Sequence, residues 1–239
     1  MRKLINLWSG LLLILTACSS GSDELPVKPG NPQGNNQEET TEIRFLALGD
    51  SYTIGQSVPE DQRWPVLMVK DLRRSGKSMA NAEIIARTGW TTGDLLNTLN
   101  SNPPKQKYNL VSLLIGVNNQ YQGRTIAEYK DEFNALLDKA VSYSSGGKSK
   151  VFVLSIPDWG MTSYASGADR GKIAKEIDQF NEVAKGECNK QGITFINITE
   201  ISRRALNDNS MVASDGLHYS GKMHQLWVNE SLSSVKMKL

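Results

Sequence analysis

The sequence of 239 residues has almost no excess of charge of either sign. Lysine and arginine total 27 against 25 aspartates and glutamates, which leaves a net charge of +2. Arg2 and Lys3 account for this excess, so the chain without residues 1–17 is neutral. A neutral protein without a cluster of basic residues lacks the attraction to phosphates on which nucleic-acid binding depends. We therefore expect no nucleic-acid partner.

Histidine and cysteine are scarce, with two of each. Two histidines do not provide a convincing cluster of metal ligands, and we predict neither a metal ion nor a cofactor. Cys188 falls on an apolar helical stripe with Ile177 and Phe180. This setting favours a small buried hydrophobic residue over a reactive thiol.

The first residues lack an apolar run long enough to cross a bilayer. The segment from Leu4 to Leu15 is mostly apolar, but it is too short to span, and it follows two basic residues. This pattern is typical of an export signal. We predict a signal peptide over residues 1–17.

The end of this segment, Leu15-Thr16-Ala17-Cys18, resembles the lipobox of bacterial lipoproteins. In that family the cysteine thiol receives a diacylglyceryl group and becomes the first residue after cleavage. The resemblance implies that Cys18 is lipidated and that the protein is anchored to a membrane of the bacterial cell envelope. An ordinary secretory signal with an incidental Cys18 is the alternative. A lipidated Cys18 leaves Cys188 without a partner for an intramolecular disulfide.

Residues 19–41 contain few apolar side chains and are rich in Ser, Gly, Asn, Pro, Gln and Glu. Such a composition cannot bury a core, so we predict a solvated tether over residues 18–42. The remainder, residues 43–239, shows no internal repeat and no second compositional block. With 39% hydrophobic residues in the whole chain, we expect one globular domain there.

Short apolar runs alternate with amphipathic helical patterns throughout that domain. The predicted strands are Ile43–Leu48, Ala82–Ala86, Tyr108–Ile115, Lys150–Ile156 and Ile193–Ile198. The predicted helices are Trp64–Arg74, Thr92–Leu99, Thr125–Tyr143, Asp169–Lys190 and Ser220–Lys236. Five apolar strands separated by helices indicate an α/β fold, with a parallel sheet covered on both faces.

Four polar or glycine-containing segments follow strands or precede the last helix. Ser51 comes after the first strand, Gly89 after the second and Asn118 after the third. Asp215 and His218 lie just before the final helix. The loops at the carboxyl edge of a doubly wound sheet surround one crevice, so we expect these residues to meet there.

This ordered set resembles the SGNH or GDSL hydrolase family, which is named for its Ser, Gly, Asn and His residues. The resemblance implies a flavodoxin-like three-layer α/β/α sandwich with a five-stranded parallel sheet, and hydrolysis of esters. It also implies that Gly89, Asn118 and the Ser51 backbone N–H form an oxyanion hole. The sequence departs from the family pattern at Tyr52 and Asn119, which puts the contacts around the site in question.

The chemistry of ester hydrolysis assigns roles to the same residues. A serine hydroxyl needs a neighbouring base before it can attack a carbonyl. Ser51 is the predicted nucleophile, His218 the base, and Asp215 the acceptor that fixes the imidazole tautomer. The other histidine, His224, lies within the final helix and is interpreted as a surface or packing residue.

Aromatic residues near the expected crevice suggest what binds there. Trp90, Tyr121 and Trp159 are candidates to stack on a sugar ring or to line an acyl pocket, although packing roles are equally open. We expect an esterase acting on short acyl (acetyl) esters of carbohydrates. The alternatives are a lipase, phospholipase or thioesterase with longer acyl preference, and a noncatalytic glycan-binding lipoprotein. The oligomeric state is left open.

Overall fold

A computed structural model describes residues 42–239, in which five parallel strands form one sheet. The strands are β1 (Phe45–Gly49), β2 (Glu83–Ala86), β3 (Leu110–Leu114), β4 (Val151–Leu154) and β5 (Thr194–Ile196). Their order in the sheet is β2-β1-β3-β4-β5. At the carboxyl edge, Gly49 of β1 is in register with Ala86 of β2 and with Leu114 of β3. The loops that leave these three strands therefore begin side by side.

Helices cover both faces of the sheet. They are α1 (Ser51–Ile54), α2 (Trp64–Arg74), α3 (Thr92–Ser101), α4 (Val117–Tyr121), α5 (Ile126–Tyr143), α6 (Arg170–Gln191), α7 (Thr199–Ser202) and α8 (Gly221–Lys236). Helix α2 packs against α8, while α5 packs against both α3 and α6. This division follows from the strand order, because the chain moves one way from β1 to β2 and the other way through β3, β4 and β5, and crossovers between parallel strands are right-handed as a rule. The predicted three-layer α/β/α sandwich is confirmed.

The core lies on both sides of the central strands, since every residue of β1 and β3 is buried. On one face, Trp64 of α2 packs against Phe45, with ring centroids 6.1 Å apart. On the other, Tyr129 of α5 and Phe180 of α6 pack with centroids 4.7 Å apart. Aromatic residues thus fill both helix–sheet layers and hold the sheet that presents the site.

The sequence predicted every strand and all five long helices of this region, with α2 matched at both ends. The strands are shorter than predicted. Ile198, for example, is fully buried but lies beyond the end of β5, because an apolar run reports burial rather than strand pairing. Three short helices, α1, α4 and α7, were not predicted.

The predicted signal peptide, Cys18 and all but the last residue of the predicted tether lie outside the described residues. Between residues 42 and 239, no helix has both the length and the apolar character that crossing a membrane requires. Cys188 is a free, fully buried thiol in α6, as predicted. Burial, with a smaller contribution from neighbouring Glu187, raises the pKa of this thiol to about 12, which makes it unreactive near neutral pH.

Candidate active site

Ser51 lies where β1 ends and α1 begins. Asp50 caps this short helix, because its Oδ1 accepts a hydrogen bond from the Tyr52 backbone N–H at 3.0 Å. Gly49 makes the tight transition possible, since a Cβ at that position would collide with Thr53 and with the Leu114 carbonyl. The result is a serine at the first position of a helix, 5% exposed, with its side chain on a cavity wall.

Asp215 and His218 are joined within one tight turn. The imidazole Nδ1 lies 2.6 Å from Asp215 Oδ2. Asp215 Oδ1 accepts hydrogen bonds from the backbone N–H groups of Leu217 and His218, both at 2.9 Å. With Nδ1 facing the carboxylate, Nε2 is the imidazole nitrogen left for a reacting group.

A cavity of about 140 Å³ brings Ser51 and His218 together. Its walls are formed by Ser51, Tyr52, Val117, Asn118, Tyr121, Trp159, Leu217 and His218. Within residues 42–239, no direct hydrogen bond links Ser51 Oγ to the imidazole. Such contacts are often long in unliganded enzymes and shorten when substrate binds. The predicted nucleophile and base thus share one small cavity.

Asn118 reaches this cavity from α4, which begins after Gly116. Its Nδ2 donates a hydrogen bond to the Trp90 carbonyl at 2.9 Å. This bond uses one of the two amide hydrogens and leaves the other for a ligand. Gly89 is exposed and has a φ of +87°, a conformation that favours glycine. Gly89 and Trp90 are not among the cavity residues, but the hydrogen bond from Asn118 to the Trp90 carbonyl connects their loop to the cavity.

Comparison with known families identifies the protein class. The model for the GDSL-like lipase/acylhydrolase family matches residues 47–226, more than half of the chain. The chain belongs to this family. It is therefore an ester hydrolase, and the GDSL expectation from the sequence is confirmed. The alternative of a noncatalytic glycan-binding lipoprotein is not supported.

Solved structures with the same fold include several esterases. A lipase/acylhydrolase from Enterococcus faecalis is 19% identical, with a TM-score of 0.66, over 82% of this chain and 97% of that one. The acetylxylan esterase Axe2 from Geobacillus stearothermophilus is 17% identical, with a TM-score of 0.63, over 81% of this chain and 94% of that one. The esterase EstA from Pseudoalteromonas sp. is 16% identical, with a TM-score of 0.63, over 82% and 98%. No curated protein sequence matches this chain.

The two departures from the GDSL pattern have clear contacts in the structure. The Tyr52 ring packs edge-on against His218, with centroids 5.8 Å apart. Asn119 is fully buried, and its Oδ1 accepts a hydrogen bond from the Thr92 backbone N–H at 2.9 Å. Its Nδ2 donates to Thr92 Oγ1 at 2.6 Å, and that hydroxyl donates to Glu132 Oε2 at 2.5 Å. Asn119 therefore fixes α4 to the start of α3.

Trp159 and Tyr121 line the cavity, and Tyr164 packs against Trp159; we call Tyr121 and Tyr164 the rim of the cavity. The Trp159 indole N–H donates to Gln120 Oε1 at 2.8 Å, and its ring packs against Tyr121 and Tyr164. The two tyrosine hydroxyls lie 3.0 Å apart, and both side chains are about half exposed. Sequence reasoning missed Tyr164, because it lies in a short turn without periodicity and meets Tyr121 only in the folded protein.

His224 plays a packing role. It is 1% exposed, stacks on Trp227 and accepts a hydrogen bond from the Trp64 backbone N–H through Nδ1. Burial lowers its pKa to about 3, with smaller contributions from His218 and Arg63. In the part of the chain that the structure describes, no group of three His, Cys, Asp or Glu side chains is arranged to hold a metal ion.

Proposed function

We propose that this GDSL-family hydrolase cleaves carboxylic esters through an acyl-enzyme intermediate, with Ser51 as nucleophile and His218 as base. The observation that carries this proposal is the shared cavity, which both side chains line while the imidazole Nδ1 faces Asp215 Oδ2 at 2.6 Å. In the first step, Ser51 Oγ attacks the ester carbonyl and passes its proton to His218 Nε2. Asp215 stabilises the imidazolium that forms.

The second half of the reaction reverses these transfers. His218 gives its proton to the departing alcohol, which leaves Ser51 esterified by the acyl group. Water then enters, loses a proton to His218 and attacks the acyl carbonyl, so that the acid is released and Ser51 recovers its proton. His218 accepts or donates the proton in every transfer of this scheme.

Three donors are proposed to stabilise the oxyanion formed in each half-reaction. They are the backbone N–H of Ser51 at the first position of α1, the backbone N–H of Gly89 and the second amide hydrogen of Asn118. Asn118 is already oriented by its bond to the Trp90 carbonyl. Removing one such donor typically lowers turnover by about 10²–10³-fold.

The size of the cavity favours short acyl groups. Its volume of about 140 Å³ is well below the roughly 300–1,000 Å³ of pockets that hold drug-sized ligands. Trp159 forms part of its wall, and this residue is 8% exposed and bonded to Gln120 through its indole N–H. We infer an acetyl or similarly small acyl group.

The rim of the cavity favours a carbohydrate as the alcohol. Tyr121 and Tyr164 present rings and hydroxyls to solvent directly beside Trp159. Amphipathic aromatic rings of this kind suit a sugar, which has both C–H faces and hydroxyl groups. An acetylxylan esterase is among the proteins of similar fold, which is consistent with this choice.

An acyl-length series tests the proposed substrate class. We expect kcat/KM to be highest for acetyl esters, and to be at least about tenfold lower for octanoyl esters because the cavity cannot hold the longer chain. Trp159→Ala should narrow that difference by opening the cavity wall, and acetylated oligosaccharides should be substrates. Highest kcat/KM for octanoyl esters would instead support the lipase, phospholipase or thioesterase alternative.

The cellular context is a separate part of the proposal. The lipobox-like segment ending at Cys18 supports a lipid-anchored enzyme of the bacterial cell envelope. A tether over residues 18–42 would let the hydrolase act beside the membrane without a membrane-binding surface of its own.

A further inference from the structure

Ser57 has an unusual backbone conformation three residues after α1. Its φ is +61°, and among residues 42–239 no other non-glycine residue has a positive φ. Left-handed backbone is uncommon for serine and persists where the surrounding structure enforces it. The Ser57 hydroxyl donates a hydrogen bond to Asp215 Oδ2 at 2.6 Å. The conformation therefore directs a hydroxyl at the carboxylate that contacts His218.

Among residues 42–239, this is the one hydrogen bond to Asp215 that comes from outside its own turn. The carboxylate accepts from the backbone N–H groups of Leu217 and His218 and from His218 Nδ1, all within its own turn. Ser57 is 158 residues away in sequence. With two donors on each oxygen, the carboxylate has little freedom to rotate.

The segment that carries Ser57 is itself fixed to the nucleophile's helix. The backbone N–H groups of Gly55 and Gln56 both donate to the Ser51 carbonyl at 3.0 Å. Gln56 Oε1 also accepts a hydrogen bond from Thr88 Oγ1 at 2.7 Å, next to the Gly89 loop. The chain therefore links the backbone of Ser51 to Asp215 through a short, hydrogen-bonded turn.

The charge on Asp215 depends on the same contacts. Partial burial acts to raise its pKa, but hydrogen bonds from Ser57, His218 and two backbone N–H groups outweigh this and hold the pKa well below its ordinary value. Asp215 is thus ionised throughout the neutral range. The Ser57 hydroxyl shares the negative charge of Oδ2 with His218 Nδ1.

We propose that Ser57 is a positioning residue for ester hydrolysis, which holds the Asp215 carboxylate so that His218 faces Ser51. This inference rests on the function proposed above for Ser51, Asp215 and His218. Without the Ser57 hydroxyl, Asp215 turns more freely and directs more of its charge to the imidazole. Because the imidazole is then less often aligned with Ser51, transfer of the Ser51 proton becomes slower, while the charge that Oδ2 no longer shares with Ser57 favours the protonated imidazole at higher pH than before.

The test compares Ser57→Gly and Ser57→Ala with the wild-type full chain on a short acyl ester. Glycine adopts φ +61° without strain, so Ser57→Gly removes the hydroxyl while the backbone stays in place. We expect kcat to fall about tenfold in both variants with KM little changed, since hydrogen bonds to charged groups are among the stronger ones. The acid limb of the kcat/KM profile should move to higher pH. The melting temperature of Ser57→Gly should stay close to that of the wild type.

Two further variants make the outcomes distinguishable. Ser149→Ala removes an exposed hydroxyl that bonds the Gly146 carbonyl near the amino end of β4, and it should leave kcat and the pH profile unchanged. Asp215→Asn should lose most activity. If it does so while Ser57→Gly keeps the wild-type kcat and pH profile, the role of Ser57 is disproved and the proposed function stands. If Asp215→Asn keeps full activity, this inference fails and ester hydrolysis stands, whereas the proposed function fails if the wild-type chain shows no ester hydrolysis that depends on Ser51.

Discussion

At the scale of single residues, burial strongly changes the pKa of Asp50, the side chain next to Ser51. Asp50 is 1% exposed, and its Oδ2 has no hydrogen-bond partner among the described residues. Burial raises the pKa of this carboxyl to about 7, although backbone N–H groups including that of Tyr52 act in the opposite direction. The residue that caps the nucleophile's helix is therefore partly protonated near neutral pH.

This raised pKa predicts how stability depends on pH. The folded protein keeps the Asp50 proton up to about pH 7, whereas the ordinary pKa of 3.8 applies to the unfolded chain. Between these values the folded state binds more protons, so the contribution of Asp50 to the free energy of unfolding falls as pH rises. Asp50→Asn does not titrate, and its Oδ1 still accepts from Tyr52. We expect the variant to gain stability relative to wild type from about pH 4 to pH 7, with no further gain above.

Urea unfolding at several pH values measures this difference. Asp138→Asn is a suitable control, because it changes an exposed aspartate of α5. The difference in unfolding free energy between that control and wild type should stay nearly flat. A flat difference for Asp50→Asn as well would show that Asp50 ionises normally in the folded protein.

At the scale of elements, two short helices rather than the long ones present the Ser51 and Asn118 side chains to the cavity. Helix α1 presents Ser51, and α4 presents Asn118. With four and five residues, these helices are too short to be stable alone and depend on their surroundings. Asn119 supplies this support for α4, because its amide matches both an N–H donor and a hydroxyl acceptor of Thr92.

Asn119→Asp tests this link between α4 and α3. The Thr92 hydroxyl has one hydrogen, which it donates to Glu132. A carboxylate at position 119 cannot donate in return, so two acidic groups would compete for one hydrogen in a buried place. We expect a loss of about 1–3 kcal/mol in the free energy of unfolding and reduced kcat. Wild-type stability and kcat in this variant would show that the Thr92 contacts do not support α4.

At the scale of the whole molecule, the sheet edge explains why the sequence predicted so much of the site. Buried strands and long amphipathic helices leave periodic patterns, and residues that follow parallel strands must meet at one edge. The order of Ser51, Asn118 and His218 along the chain was therefore informative. The contact between Ser57 and Asp215 was not predictable, because it joins irregular segments that are 158 residues apart.

The position of Tyr164 and the requirement for glycine at position 89 were likewise not predictable, because both depend on contacts in irregular segments. At Gly89, an added Cβ would meet no atom of the chain within 4 Å, so crowding inside the folded chain does not require glycine there. Its positive φ is what requires glycine in the structure. A backbone angle in a loop depends on tertiary contacts, so the residue type alone did not distinguish these causes.

Membrane anchoring is a property of the full-length protein, and substitution of Cys18 tests it directly. We expect Cys18→Ser to release the protein from the membrane fraction, because the thiol that would carry the lipid is absent. Cys188→Ala is the matched control, since Cys188 is buried in α6 and should not affect fractionation. Membrane retention of Cys18→Ser to the same extent as this control would contradict lipid attachment at Cys18.

Covalent labelling by a fluorophosphonate, located by peptide mass spectrometry, tests the central claim most directly. We expect one adduct on the wild-type chain, in the peptide that contains Ser51, and much slower labelling of His218→Ala. Ser51→Ala should show no adduct and no esterase activity, with an unchanged melting temperature. Labelling of Ser51→Ala at the wild-type rate, or a wild-type adduct on a different residue, would contradict the assignment of Ser51 as the nucleophile.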